Sequence, residues 1–234
     1  MSDNAAGQDR PETPLDALGV MASQQAIIGP NLRHVEMYTR RGLMSLLWHE
    51  PTGDARAVGI VMVGGAMGGT LGPGDSLFFA LGDALATRGI PSIRLSYRKP
   101  NDMDSCCVDT AAAVQLLVGS GADHVVIMGH SFGGAVAVRV GVGLTDMVCG
   151  VVTFATQSAG CEVAGGLHAT PLLMFHGDHD SILPLEASEV VRTIAGTGDL
   201  HVMYGDDHLL ANSHDQMFET TMAWLDTVFT GVGA

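Results

Sequence analysis

Two kinds of hydrophobic pattern alternate along this chain. Short, unbroken apolar runs are followed by longer segments in which apolar residues recur every three or four positions. Unbroken runs of this length fit strands buried on both faces, and the longer period fits amphipathic helices. The runs at 57–63, 90–97, 124–128, 147–155, 171–177 and 200–205 are therefore predicted strands. The segments at 76–89, 104–121, 132–144, 185–196 and 214–229 are predicted helices. Gly89 marks a helix stop, and Asp104 or Ser105 supplies an N-cap.

Strands and helices in alternation predict an α/β fold, a mostly parallel twisted sheet with helices on both faces and right-handed crossovers. Ahead of it, two extended runs flank Arg40-Arg41-Gly42 and predict an N-terminal antiparallel hairpin. Residues 1–30 are polar, proline-containing and weakly patterned, which predicts a loose arm with a short helix around "LDALGVMASQ". Residues 31–234 contain no linker and are expected to form a single domain.

Composition narrows the chemistry. Of the 234 residues 47% are hydrophobic, enough for a sizeable core, and the 31 glycines follow no repeat. Eleven basic against 25 acidic side chains give a net charge of −14, which repels phosphate backbones and anionic lipid. Neither nucleic acid nor a membrane is an expected partner. No run is long enough to span a bilayer, and "MSDNAAGQDRPETP" has no apolar signal core, so the cytoplasm is the expected location. Cys106, Cys107, Cys149 and Cys161 lack paired metal or redox spacing and are expected as reduced thiols. No metal and no cofactor is expected.

One stretch carries the strongest chemical signal. The apolar run ending at Met128 stops in Gly129-His130-Ser131-Phe132-Gly133-Gly134, and a small, apolar helix follows. Glycines on either side of one serine permit a tight strand-to-helix turn that thrusts the serine side chain outward. This G-x-S-x-G arrangement is a nucleophile elbow. Phosphate-loop spacing and a nearby lysine are both missing.

A serine hydroxyl needs a base, and the base needs an acid to orient it. In open α/β sheets reactive groups follow the carboxyl ends of strands. The strand at 171–177 leads into "HGDHDSILP" and the strand at 200–205 into "DDHLL", so the acid is Asp180 or Asp178 and the base His208. His176 shares its strand end with the acid and is not expected to face it. His179 and His214 are the other candidate histidines. His214, at the start of the last helix, is expected to pack or cap. Asp206 and Asp207 are expected to be solvated.

Together "GHSFGG", "HGDHDSILP" and "GDDHLL" resemble three motifs of the α/β-hydrolase superfamily in their usual order. The nearest likeness is to small dienelactone-hydrolase-like and carboxylesterase-like serine hydrolases. The resemblance spans roughly residues 34–230. It implies Ser131 as nucleophile, Asp180 rather than Asp178 as acid, and His208 as base. It also implies an oxyanion hole from the N–H of Phe132 and, from the Gly64–Asp75 loop, that of Ala66 or the alternative Met67. The family often places an arginine after the strand at 90–97 as a structural group, so Arg98 and Lys99 are expected to be structural or solvated, with contact to a substrate carboxylate as the alternative.

Only residues 156–170 separate two neighbouring strands, too few for a large cap domain. The site should lie open, covered by that segment and the Gly64–Asp75 loop. Met67, Phe132 and Phe154 are candidate acyl-pocket residues, with packing in the core the alternative for each. The expected function is ester hydrolysis through an acyl-enzyme, with a small-molecule ester of short acyl group as substrate. A homodimer is compatible with this. A thioesterase or acyltransferase would use the same triad, and a non-catalytic binding module would normally lose one of its members.

Overall fold

The structure, a computed structural model, describes residues 13–233. A nine-stranded sheet runs through its middle. Its strands are β1 (Val20–Gly29), β2 (Leu32–Thr39), β3 (Gly42–His49), β4 (Val58–Val63), β5 (Ser92–Ser96), β6 (His124–His130), β7 (Val148–Phe154), β8 (Leu172–Gly177) and β9 (Asp199–Met203). Their order across the sheet is β1-β2-β3-β5-β4-β6-β7-β8-β9. The strands β1, β2, β3 and β5 pair antiparallel in turn, and every pair from β5–β4 to β8–β9 is parallel. The helices are α1 (Pro14–Leu18), α2 (Pro73–Thr87), α3 (Met103–Gly119), α4 (Phe132–Gly143), α5 (Glu186–Ala195) and α6 (His214–Gly231).

The unbroken apolar runs have the predicted cause. All six residues of β4 are buried, and they serve two cores. Val61 and Val63 point into the core shared with α3, α4 and α5, whereas Ile60 and Met62 meet α2 and α6 on the other face. A strand between two helix layers has no polar face to show in its sequence. The hairpin around Arg40-Arg41 is present, with Thr39 opposite Gly42.

The N-terminal expectation needs correction. Residues 1–12 lie outside the described residues, but 13–30 are not a loose arm. Thr13 caps α1 in a reciprocal bond with Asp16, and β1 pairs with β2 along its length. The helix is also shorter than "LDALGVMASQ", which passes into β1 after Gly19. Nine of ten β1 residues are exposed, so neither face wrote an apolar pattern into the sequence. Backbone pairing, not burial, holds this strand. The cap of α3 also moves: Asp102, not Asp104 or Ser105, accepts the Ser105 N–H at 3.0 Å.

Several polar groups are structural. Arg98 forms a buried ion pair with Asp109 at 2.5 Å and donates its backbone N–H to the same carboxylate, while Lys99 pairs with Asp102 at the surface. The four cysteines are free thiols, and burial pushes the Cys106 and Cys161 thiols up to about 12. Among the described residues no helix is long and apolar enough to cross a membrane. No group of three or more metal-ligating side chains occurs among them either.

Candidate active site

The sheet reverses its order at β4, which lies between β5 and β6. The loops after β4 and β6 therefore part at one point, where open α/β sheets bind ligands. Ser131 follows β6 directly. Its φ of 56° and ψ of −119° are the strained conformation of an elbow, and α4 begins at the next residue. The Ser131 N–H is held by Phe154 O at 2.8 Å and its carbonyl by Gly134 N–H at 3.0 Å.

The glycines are steric necessities. A Cβ on Gly129 would collide with the Gly133 carbonyl, and one on Gly133 would lie 2.8 Å from Val63 O and closer still to Gly64 O. Backbone occupies these spaces and cannot step aside as a side chain can. Gly129→Ala is therefore expected to abolish accumulation of soluble, cooperatively melting protein. A melting transition like that of wild type, measured by circular dichroism, would contradict this.

Asp180 and His208 follow β8 and β9. His208 Nε2 lies 3.0 Å from Ser131 Oγ, and His208 Nδ1 lies 2.7 Å from Asp180 Oδ2. The carboxylate can only accept, so Nδ1 carries the hydrogen and Nε2 offers its lone pair to the serine hydroxyl. The other carboxylate oxygen of Asp180 accepts the N–H groups of Ile182 and Leu183, both at 2.8 Å. Burial raises the Asp180 pKa, but the Leu183 N–H, the His208 ring and the Ile182 N–H outweigh it and hold the group below its ordinary value. Asp178 turns away and accepts Gly205 N–H at 2.6 Å, shaping the turn after β9.

On the other side of Ser131 lies the loop after β4. A Cβ on Gly65 would lie 3.5 Å from Ser131 Cβ, so this peptide passes directly beside the serine. A tight turn joins Gly68 N–H to Gly65 O at 2.9 Å, leaving the N–H groups of Ala66 and Met67 out of its own bond. Phe132 heads α4, where its N–H has no acceptor within the helix. Buried Arg94 donates to Thr70 O at 3.2 Å, Gly74 N–H to Leu209 O at 2.8 Å, and the His214 ring bonds Gly74 O. The last two contacts tie this loop to the segment carrying His208.

Between these loops is a cavity of about 480 Å³ lined by residues 64–72 together with His130, Ser131, Ile182, His208 and Leu209. Its rim is apolar and open: Met67 is 93% exposed, Ile182 67%, Leu209 58% and Leu71 57%. Among the described residues no carboxylate, ammonium or guanidinium side chain lines it. Of the three candidate pocket residues Met67 is in the lining, and the other two take the core-packing alternative. Phe132 packs edge-on against Tyr97, and Phe154 stacks on Phe175 in the core. The 156–170 segment does not line the cavity, because fully buried Cys161, Ala164 and Leu167 draw it down against the core.

Three further positions depart from expectation. His130 was not singled out in the sequence, yet it borders the cavity. Its Nε2 lies 3.0 Å from the His208 backbone carbonyl, and its ring centroid lies 5.1 Å from that of His208. His176 does face the acid, at 3.3 Å. Asp206 is buried, accepting from Ser213 Oγ at 2.6 Å and from the Asn212 and Asp207 N–H groups. Asp207 is exposed, as expected. The clue to Asp206 was local: polar Asn212 and Ser213 follow it closely enough for one side chain to bind the turn.

No family model matches the sequence, and no curated protein matches it. Solved structures do match in three dimensions. Est1E from Butyrivibrio proteoclasticus superposes with a TM-score of 0.71 at 14% identity, over 84% of this chain and 99% of its own. Dienelactone hydrolase from Anabaena variabilis gives 0.67 at 14% identity, over 86% and 98%. This chain has the α/β-hydrolase fold. A third match is XC6422 from Xanthomonas campestris, described as an α/β serine hydrolase without lid, at 0.63 and 15% identity over 88% and 96%. In the α/β-hydrolase fold of this chain, too, the 156–170 segment builds no separate cap domain over the cavity.

Two buried imidazoles make the fold sensitive to acid. Burial, with the charge of Arg94 adding to it, lowers the pKa of His49 from 6.5 to about 4. Burial likewise takes His130 from 6.5 to about 4. Between these values the unfolded chain binds protons that the native chain does not, so stability falls as pH falls. With both groups contributing, the slope is on the order of 2 kcal/mol per pH unit. Urea midpoints should drop from pH 7 toward pH 5, and His130→Gln should flatten the dependence. An unchanged midpoint over this interval would refute the assignment.

Proposed function

We propose that this protein is a serine hydrolase of carboxylic esters. The observation that carries the proposal is the chain of contacts from Ser131 Oγ to His208 at 3.0 Å and on to Asp180 at 2.7 Å, beside an apolar cavity. Ser131 Oγ attacks the ester carbonyl while His208 Nε2 takes its proton. The resulting tetrahedral centre carries negative charge on the former carbonyl oxygen. The N–H groups of Phe132 and Ala66 face that charge, with Met67 the alternative donor; Ala66 is favoured because Gly65, its neighbour, lies against Ser131. Collapse of the centre breaks the bond to the alcohol oxygen, which takes the proton from His208. Water then attacks the acyl-enzyme, giving its proton to His208 and returning Ser131 with release of the acid. Asp180 keeps His208 in the tautomer that can accept a proton and stabilises the imidazolium that forms.

The rim of Met67, Leu71, Ile182 and Leu209 favours an uncharged, small acyl group. A fluorophosphonate probe tests the reading directly. One covalent adduct on Ser131, with turnover of p-nitrophenyl acetate exceeding that of the succinate half-ester, is expected. Folded protein that remains unlabelled would overturn the proposal. Faster turnover of matched thioesters would move the assignment to the thioesterase alternative.

A further inference from the structure

Asp180 meets two imidazoles, not one. His176, near the end of β8, is fully buried and does not line the cavity. Its Nε2 lies 2.9 Å from Leu183 O and 3.3 Å from Asp180 Oδ2. Its Nδ1 lies 2.7 Å from Ser188 Oγ on α5, and Ser188 is also fully buried. A backbone carbonyl can only accept, so Nε2 bears the hydrogen. Nδ1 of the neutral ring then accepts the hydrogen of the Ser188 hydroxyl. The tautomer is set from both sides.

The consequences converge on the acid. Leu183, whose carbonyl accepts from His176, donates its own N–H to Asp180 Oδ1 at 2.8 Å. His176 thus grips the 180–183 turn at Leu183, the residue whose N–H helps orient the carboxylate. Its N–H dipole also lies against Oδ2, the oxygen that faces His208. We propose that His176, braced by Ser188, is a positioning residue that orients Asp180 and moderates the negative charge felt by His208. This rests on the serine-hydrolase reading.

The sign of the effect follows from electrostatics. Removing the N–H dipole leaves more of the Asp180 charge to act on His208 and favours the imidazolium. The acid limb of kcat/KM should then move to higher pH. Of the other titratable groups beside His208, His130 lies across the rings, Asp207 precedes it on its own loop and accepts the Leu209 N–H, and Asp206 is spent on Asn212 and Ser213. All are retained in the variants below.

The test uses the full chain, p-nitrophenyl acetate and a series from about pH 5 to 9. His176→Leu is expected to lower kcat by about tenfold and move the acid limb up by about half a unit, with KM little changed. His176→Gln keeps an amide donor for Leu183 O and should recover most of the rate. Ser188→Ala frees the ring and should shift the limb in the same direction by less; it carries the test if His176→Leu does not fold. A wild-type limb in Ser188→Ala and in every folded His176 variant overturns the proposal, as does a uniform loss of kcat with no movement of the limb. Failure of the underlying reading is separately visible, because wild type itself would then not react with fluorophosphonate.

Discussion

Ser131→Ala is expected to lower kcat for p-nitrophenyl acetate by about 10⁶-fold and to abolish fluorophosphonate labelling, with folding retained. In the proposed mechanism, loss of the hydroxyl removes the atom that forms the acyl-enzyme, while the Phe132 N–H and the Gly64–Gly72 loop are retained. The residual rate should be that of water attacking a bound ester. The substitution is sterically mild, but Ser131 has a φ of 56°, a strained region for alanine as for serine. The fold already sustains that conformation through the bonds of Ser131 to Phe154 and Gly134, so the melting temperature should change little. Labelling, turnover and thermal melting of the two proteins check this together. Turnover within tenfold of wild type would exclude Ser131 as nucleophile.

Asp180→Asn is expected to cost about 10⁴-fold in kcat while leaving the backbone in place. The asparagine carbonyl oxygen can still accept from Ile182 and Leu183 N–H, as Asp180 Oδ1 does now. Its amide nitrogen would then face His208 Nδ1, currently 2.7 Å from Oδ2. Two N–H groups cannot be hydrogen-bonded to each other, so the imidazole would carry its hydrogen on Nε2. That nitrogen could no longer accept the Ser131 proton. The variant also lacks the negative charge that stabilises the imidazolium. The loss should therefore lie in kcat, with KM for the acetate ester nearly unchanged. Asp178→Asn provides the contrast: Asp178 bonds Gly205 N–H and does not reach His208, so it should lose less than tenfold. Equal losses in the two variants would place the acid elsewhere.

The elbow was legible because its requirement is local. Glycines at 129 and 133 are dictated by backbone that approaches within a few residues of Ser131 and by β4 next door. The order of strands and helices was equally plain, because a parallel sheet between two helix layers demands unbroken apolar strands. The rule that loops at strand carboxyl ends converge left Asp180 or Asp178 as the acid and His208 as the base. The resemblance to the α/β-hydrolases chose Asp180, and the structure brings the side chains of Ser131, Asp180 and His208 together.

What the sequence by itself determined, then, were features written in short-range steric and hydrophobic terms. Tertiary structure alone decided the rest. Strand β1 was invisible in the pattern because exposed residues on both faces carry no burial signal, and its order comes from pairing with β2. The chain at 156–170 could have covered the site, but the burial of Cys161, Ala164 and Leu167 places it against the core. His176 and Asp180 lie four residues apart on one strand end and were expected to diverge. The 180–183 turn folds back over that end and brings them within 3.3 Å. Side-chain direction after a strand depends on loop curvature, and loop curvature is set by hydrogen bonds to distant partners such as Ser188 and His208.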